Sequence, residues 1–438
     1  MKLNRLFVLT AMGLCLFACS ENELEGNIPE NSQNEGTTYV GFSLKFKDAN
    51  TRATENGTEA EQKINSVYVV MAKPNGKIEK VLNAEKTTTK GEGYYGSEKF
   101  LFKTSAGVHH FYAVVNPDQT EGKDNAPIVG GNIDDYFKTP IALEVAEIAN
   151  VTGQDFMMAS DEALVANVED GVTEAEALAG QKNSLSIKVE RVSAKITMTC
   201  DSETFTNANN NAGGKIENTQ FTLKQGADNS YRMAQNPIQE IGNNTYGYTT
   251  SSTVYVKKTG DENIHQKAVP VYCLENIHTS YLQKNTTYLT LNTTFTPAKV
   301  VDCADIIKEL KENSTTETFY VVEQGDLAGN YIMKSELDTY QNGNSSKLPA
   351  GVEKISKPYT DGKCYFGPIW IGQTDTDQDH GPVVRNTWYN LKITGITLPG
   401  EPEEPTIDPE EPLAPDTNVS ITLTVMPWNF IDRGIELK

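Results

Sequence analysis

Histidine, cysteine, tryptophan and long apolar runs are all scarce in this chain. Its 438 residues include five histidines, six cysteines and three tryptophans. Five histidines leave little room for a multi-metal enzyme. His109 and His110 are neighbours in a strand-like stretch and face opposite sides, while His265, His278 and His380 are scattered over loops or strand ends. There is no CxxC pair and no zinc-ligand spacing. HExxH, GxSxG and P-loop patterns are absent too, so no enzyme class is indicated. Basic residues are few: 38 Lys and Arg stand against 59 Asp and Glu, a formal charge of -21. A surface so acidic repels phosphate backbones, which argues against a nucleic-acid partner.

What is present suits globular cores. Hydrophobic residues make up 38% and aromatics 8%, too many for a disordered chain, and the length suits two or three domains. The exceptional apolar run comes first. Lys2 and Arg5 precede LFVLTAMGLCLFA, and Cys19 follows. A basic start, a short apolar stretch and a small residue before the cleavage point describe an export signal over 1–18. The run is too short for a membrane span. Because a cysteine follows Ala18, the segment resembles a bacterial lipoprotein signal, with Cys19 lipidated as the new N-terminus. The polar stretch 20–36 then reads as a flexible tether. Four cysteines remain, Cys200, Cys273, Cys303 and Cys364. An exported chain allows disulfides, and the apolar strand around Cys273 allows a buried thiol.

Most of the body alternates with period two and reads as strands. VYVVMA (67–72), the turn Pro74-Asn75-Gly76 and KIEKVL (77–82) predict a hairpin. LSIKVERVSAKITMT (185–199) predicts a strand pair or one bent strand. Helical periodicity is confined to short pieces at 132–137, 175–182 and 303–312. Many short strands between polar loops predict an all-β chain of two β-sandwich domains, 53–190 and 191–398.

Two alternating strands stand at opposite ends. YVGFSLKF (39–46) puts Val40, Phe42, Leu44 and Phe46 on one face. VSITLTVM (419–426) puts Val419, Ile421, Leu423 and Val425 on one face. Arg52 follows the first strand in a polar setting of the kind proteases cut. Before the second lies an acidic run, 399–418, with prolines at 399, 402, 405, 409, 412 and 415. That spacing predicts a stiff extended spacer, about 3 Å per residue, able to carry the last strand on the order of 50 Å from the body. Cutting after Arg52 would free the first strand and leave a groove that a strand from another subunit could fill.

These segments, in this order, resemble the fimbrillin family, and within it the stalk subunits of short fimbriae. The resemblance is carried by the start through Cys19, YCLEN (272–276), FGPIWIG (366–372), GPVVRNTWYNLKITGI (381–396), the Pro-rich run and VSITLTVMPWNF (419–430). It implies transthyretin-like sandwiches and an outer-membrane lipoprotein precursor, bound to membrane only through its lipid. An Arg-specific protease would cut between Arg52 and Ala53, removing the propeptide 19–52. The donor strand, 419–438, would enter the next identical subunit with Trp428 anchoring its end. Accessory tip and anchor subunits and a surface receptor would be further partners, the mature form would lie in an extracellular fimbria, and no cofactor is implied.

Two other chemistries were weighed. Asp375, Asp377 and Asp379 alternate as in a calcium loop, but glycine comes one place late and Asn386 stands where a bidentate Glu belongs, so a solvated loop is expected. A lipid-anchored glycan-binding protein would use an aromatic platform such as Trp370 with Trp388, though both lie in strands that would bury them. Removing residues 1–52 takes away five basic and six acidic groups, so the acidity, then -20, belongs to the body.

Overall fold

A turn and a hairpin open the body as the sequence predicts. Gly76, at φ 84°, closes the turn between β2 (Ser66–Ala72) and β3 (Ile78–Glu85), a conformation glycine adopts without cost. In this computed structural model the described residues are 36–46, 58, 60–85, 100–117, 126–143, 145–153, 155–200, 205–206, 213–235, 254–255, 257–258, 269–303, 310–312, 315–371, 381–396, 398–413 and 419–427. Strands dominate them, and the chain is all-β with a few short helices.

The first sheet has eight strands. Besides β2 and β3 it holds β1 (Thr38–Phe46), β4 (Phe100–Thr104), β5 (Gly107–Val115), β6 (Met158–Ser160), β7 (Leu164–Val168) and β8 (Ser184–Arg191). Their order is β3-β2-β5-β6-β8-β1-β4, with β7 also on β5. Alternation divides the side chains between two cores. Val67, Val69 and Met71 of β2 join Phe111, Ala113 and Val115 of β5 in one. Val70 and Ala72 join Tyr112 and Val114 in the other. That second core is covered by the helices α1 (Ile133–Phe137) and α2 (Val145–Ile148). The sheet rolls until its ends meet: the Lys80 ammonium on β3 donates to the Lys103 carbonyl on β4 at 2.6 Å.

The bent-strand segment is a pair. β8 ends at Arg191, Val192 donates to the Met157 carbonyl, and β9 (Ser193–Cys200) starts a different sheet. The longer strands that follow are β10 (Gly214–Lys224), β11 (Val271–Leu274), β12 (Tyr288–Pro297), β13 (Lys363–Trp370), β14 (Thr387–Ile396) and β15 (Val419–Pro427). β14 runs parallel to β9 and is flanked by β15 at the edge. β11, β9, β14 and β15 form one sheet, and β10, β12 and β13 the other. Ile196 and Leu391 from the first meet Phe221, Leu291 and Phe366 from the second in a shared core, which makes this part a β-sandwich.

Helix prediction succeeds where a cap is written in the sequence. Asn132 caps α1, and Thr173 with Glu176 forms a capping box on α3 (Glu174–Leu178). The helix expected over 303–312 is corrected at its end, where Leu310–Glu312 is a strand paired with Lys299–Val301; residues 304–309 lie outside the described residues. The longest described helix, α4 (Lys334–Gln341), went unpredicted because Leu337 is its one buried apolar residue. Its signal was the stop, Asn342 in left-handed conformation before Gly343.

Where the rolled sheet meets the sandwich, two sequence motifs converge. The Tyr272 hydroxyl donates to Glu61 Oε1 at 2.6 Å, and Lys195 Nζ lies 2.8 Å from the same oxygen. Lys195 also sits over the Trp388 ring at 4.2 Å. Arg191 Nε donates to the Glu61 carbonyl at 3.0 Å. Nearby, Glu275 pairs with Arg385, whose guanidinium also donates to the Tyr231 carbonyl at 2.7 Å. Thus YCLEN and PVVRN, read separately in the sequence, supply the two halves of one buried polar seam. Tyr272 and Trp388 belong by backbone to the sandwich, yet their side chains pack in the core of the rolled sheet.

Burial raises the Glu61 carboxyl, but Lys195 and Arg191 outweigh it and the net shift is downward from 4.5. Burial and the Glu61 charge push the Tyr272 phenol up, which fixes it as the donor. A carboxylate depressed in the folded state stabilises above its unfolded pKa, and that gain disappears as pH falls through the folded value. Glu61→Gln is therefore expected to cost about 3–5 kcal/mol at neutral pH by removing a carboxylate charge that faces the buried Lys195 and Arg191. Denaturant titrations of both chains should converge as pH drops below the ordinary carboxyl value; a constant gap would show that charge plays no part.

Candidate assembly site

Strand β1 lies in an interior lane. It runs parallel to β8, with Phe42 opposite Leu185 and Leu44 opposite Ile187, and antiparallel to β4, with Val40 opposite Phe102. Val40 and Phe42 are buried and Leu44 packs partly against the same core, as alternation predicts. The Phe42 and Phe111 rings are 5.1 Å apart. The side chain of Phe46 lies outside the described residues.

The start of β1 is held by side-chain and backbone bonds. The Thr38 hydroxyl donates to the Glu169 carbonyl at 2.7 Å and accepts from the Val172 amide at 2.9 Å. Tyr39 donates to the Val172 carbonyl at 3.0 Å, and Gly41 to the Asn183 carbonyl at 2.9 Å. Above Gly41 sits α3: a Cβ on Gly41 would come within 2.7 Å of the Ala177 carbonyl. Glycine here permits close approach of the helix.

The terminal strand β15 occupies the opposite kind of position. Among the described residues it pairs antiparallel with β14 and no other strand, from Thr387 opposite Pro427 to Ile396 opposite Val419, with a bulge between Ile393 and Gly395. In the single chain the last strand therefore rests on its own sheet. Its backbone is described, while the side chains of Val419, Ile421, Leu423 and Val425 are not. The Pro-rich run also differs from expectation. It turns at Asp408, whose carbonyl accepts from the Glu411 amide at 3.2 Å, and residues 399–413 lie along the sandwich instead of projecting. Glu401 exchanges two backbone bonds with Tyr365, and Ile407 is buried against Tyr288 and Trp370. Two ion pairs accompany the docking: Glu404 meets Lys224 at 2.9 Å, and Glu410 meets Lys284 at 3.0 Å.

Cys19, Arg52, Ala53 and Trp428 lie outside the described residues, as do Asp375, Asp377, Asp379, His265 and His380. Trp370 and Trp388 are both buried, in separate clusters, so they form no exposed platform. Cys200, Cys273, Cys303 and Cys364 are buried free thiols. Burial pushes the Cys273 thiol up to about 12, which leaves it unreactive. His109 binds Glu79 and the Ser105 carbonyl and serves the fold. Among the described residues no cluster of metal-ligating side chains occurs, and no helix is long and apolar enough to cross a membrane.

Residues 357–433, which contain β13, β14, the docked run and β15, match the family "Major fimbrial subunit protein type IV, Fimbrillin, C-terminal". The minor fimbrium subunit Mfa1 of Porphyromonas gingivalis is 23% identical over an alignment of 520 residues that takes in 100% of both chains. The C-terminal part of the chain carries a fimbrillin domain. Fimbrillins are fimbrial subunits, a structural family and not one of enzymes. Solved structures similar to this chain include a fimbrilin (FimA) of P. gingivalis W83, at 15% identity and TM-score 0.45, covering 91% of this chain and 99% of that one. Another is the tip fimbrial protein Mfa3 of P. gingivalis with C-terminal truncation, at 12% identity and TM-score 0.40, covering 89% and 100%.

Proposed function

We propose that this protein is a stalk subunit of a surface fimbria that polymerises by strand exchange. The chain is exported as a lipoprotein through Cys19 and cut between Arg52 and Ala53 by an Arg-specific protease. Strand β1 then leaves, and the terminal strand of another copy takes its lane. The observation that carries this reading is the contrast between two strands of one pattern. β1 fills an interior lane over a core, whereas β15 rests on an edge and pairs with one strand among the described residues. Tip and anchor subunits would cap the polymer, and adhesion to a surface receptor would follow from its location.

The lane also sets a condition on the donor. With Val419, Ile421, Leu423 and Val425 turned inward, Ser420, Thr422 or Thr424 takes the place of Gly41. None of these fits under the Ala177 carbonyl, so α3 shifts outward when the donor enters. Arginine 52 provides the direct test. Lipid-free chain treated with an Arg-specific protease is expected to give SDS-resistant ladders, and Arg52→Ala to remain monomeric. Ladders of equal yield from Arg52→Ala would remove the cleavage assignment.

A further inference from the structure

We infer that the Pro-rich run stays docked during assembly, so that only the chain beyond Leu413 leaves its own subunit; this rests on the strand-exchange reading. The run touches four parts of the sandwich. Near its start Tyr359 donates its hydroxyl to the Gly400 carbonyl at 2.8 Å, in buried surroundings. Gly400 passes so close to β13 that a Cβ there would meet the Tyr365 carbonyl at 2.0 Å. In the middle, Glu404 accepts from the Thr290 hydroxyl on β12 at 3.2 Å besides its pairing with Lys224 on β10. Ile407 packs against Tyr288 and Trp370, whose rings are themselves in contact with centroids 5.2 Å apart.

Its far end is held as well as its start. The Gln283 amide donates to the Glu411 carbonyl at 3.0 Å, Gln283 Nε2 donates to the Pro412 carbonyl at 3.0 Å, and the Asp408 amide donates to Gln283 Oε1 at 2.9 Å. Leu282 and Pro412 face each other as bridge partners. Apolar insertion, backbone pairing and charge complementarity therefore coincide along one segment. By contrast, the terminal strand pairs with one strand among the described residues and can exchange that pairing for another. A docked run fixes where the donor starts and limits its free reach to roughly 3.3 Å for each residue after Leu413. Successive subunits are thereby held close and in a set orientation, with no loose 50 Å tether between them.

The test is a staple at the far end. Leu282→Cys with Pro412→Cys places two thiols at bridge-partner positions, a spacing that a disulfide accepts. Cleaved stapled chain is expected to polymerise to the same yield whether oxidised or reduced. Loss of ladders on oxidation, restored by dithiothreitol, would overturn the inference while leaving strand exchange intact. Absence of ladders from cleaved unsubstituted chain would instead overturn strand exchange and the inference with it. Hydrogen exchange on the unsubstituted chain needs no variant. Peptides from 399–413 should be as protected in polymer as in monomer, within about twofold, and tenfold faster exchange in polymer would contradict docking.

Discussion

A chain that ends at Pro415 is expected to stay monomeric after cleavage, with no SDS-resistant ladder at any concentration. The missing strand carries Val419, Ile421, Leu423 and Val425. At about 1.5–3 kcal/mol for each large apolar side chain buried, the insertion is worth roughly 6–12 kcal/mol before ordering costs. Losing it removes both the apolar filling and the backbone pairing of the lane. The truncated chain should still fold, because β15 lies at the edge of its sheet and its loss leaves the pairing of β9 with β14 and β11 in place. Its own lane remains open to a donor, so mixing it with intact chain should shorten the polymers in proportion. Gel ladders and light scattering read both effects. Polymerisation of the truncated chain at intact yield would show that another segment is the donor.

Phe42→Ala is expected to have opposite consequences before and after assembly. In the uncleaved chain Phe42 is 2% exposed and stacks near Phe111, so truncation leaves a cavity costing about 3–5 kcal/mol. In the polymer β1 has gone, and the substitution goes with it. Chemical denaturation should show the precursor weakened and the cleaved polymer indistinguishable from unsubstituted polymer. Equal weakening of both would mean that β1 is retained in the mature subunit.

The parts legible in the sequence are those written in local patterns. Alternation in VYVVMA predicts β2, and Pro74-Asn75-Gly76 places the turn between β2 and β3. The pattern leaves a pair and one bent strand open where two strands are joined without a break. Arg191-Val192-Ser193 continues the alternation, so nothing local says that the chain passes there from one sheet to another.

The seam was half legible. Lys195 and Glu275 are charges in otherwise apolar strands, a signal of buried pairing, but their partners are distant in the chain. Glu61 lies in a short polar turn with no pattern of its own. The Pro-rich run shows the same limit from another side. Proline spacing predicts a stiff extended spacer, whereas the run turns at Asp408–Glu411, and spacing alone could not say what it lies against. Lys224 and Lys284 are remote from it in sequence and come together only in the folded sandwich. β1 and β15 were visible as similar strands, whereas their unlike lodging, interior and edge, is a property of the sheets.

The central claim is that the terminal strand leaves its own sheet to enter another subunit, and a second staple tests it most directly. Lys392 on β14 and Thr422 on β15 stand opposite each other. Lys392→Cys with Thr422→Cys therefore locks the strand at home when oxidised. After cleavage with an Arg-specific protease, the oxidised chain is predicted to remain monomeric and to form SDS-resistant ladders only once dithiothreitol is added. Ladders of equal yield from the oxidised chain would contradict the account, because a strand fixed to its own sheet cannot be the one that joins the subunits.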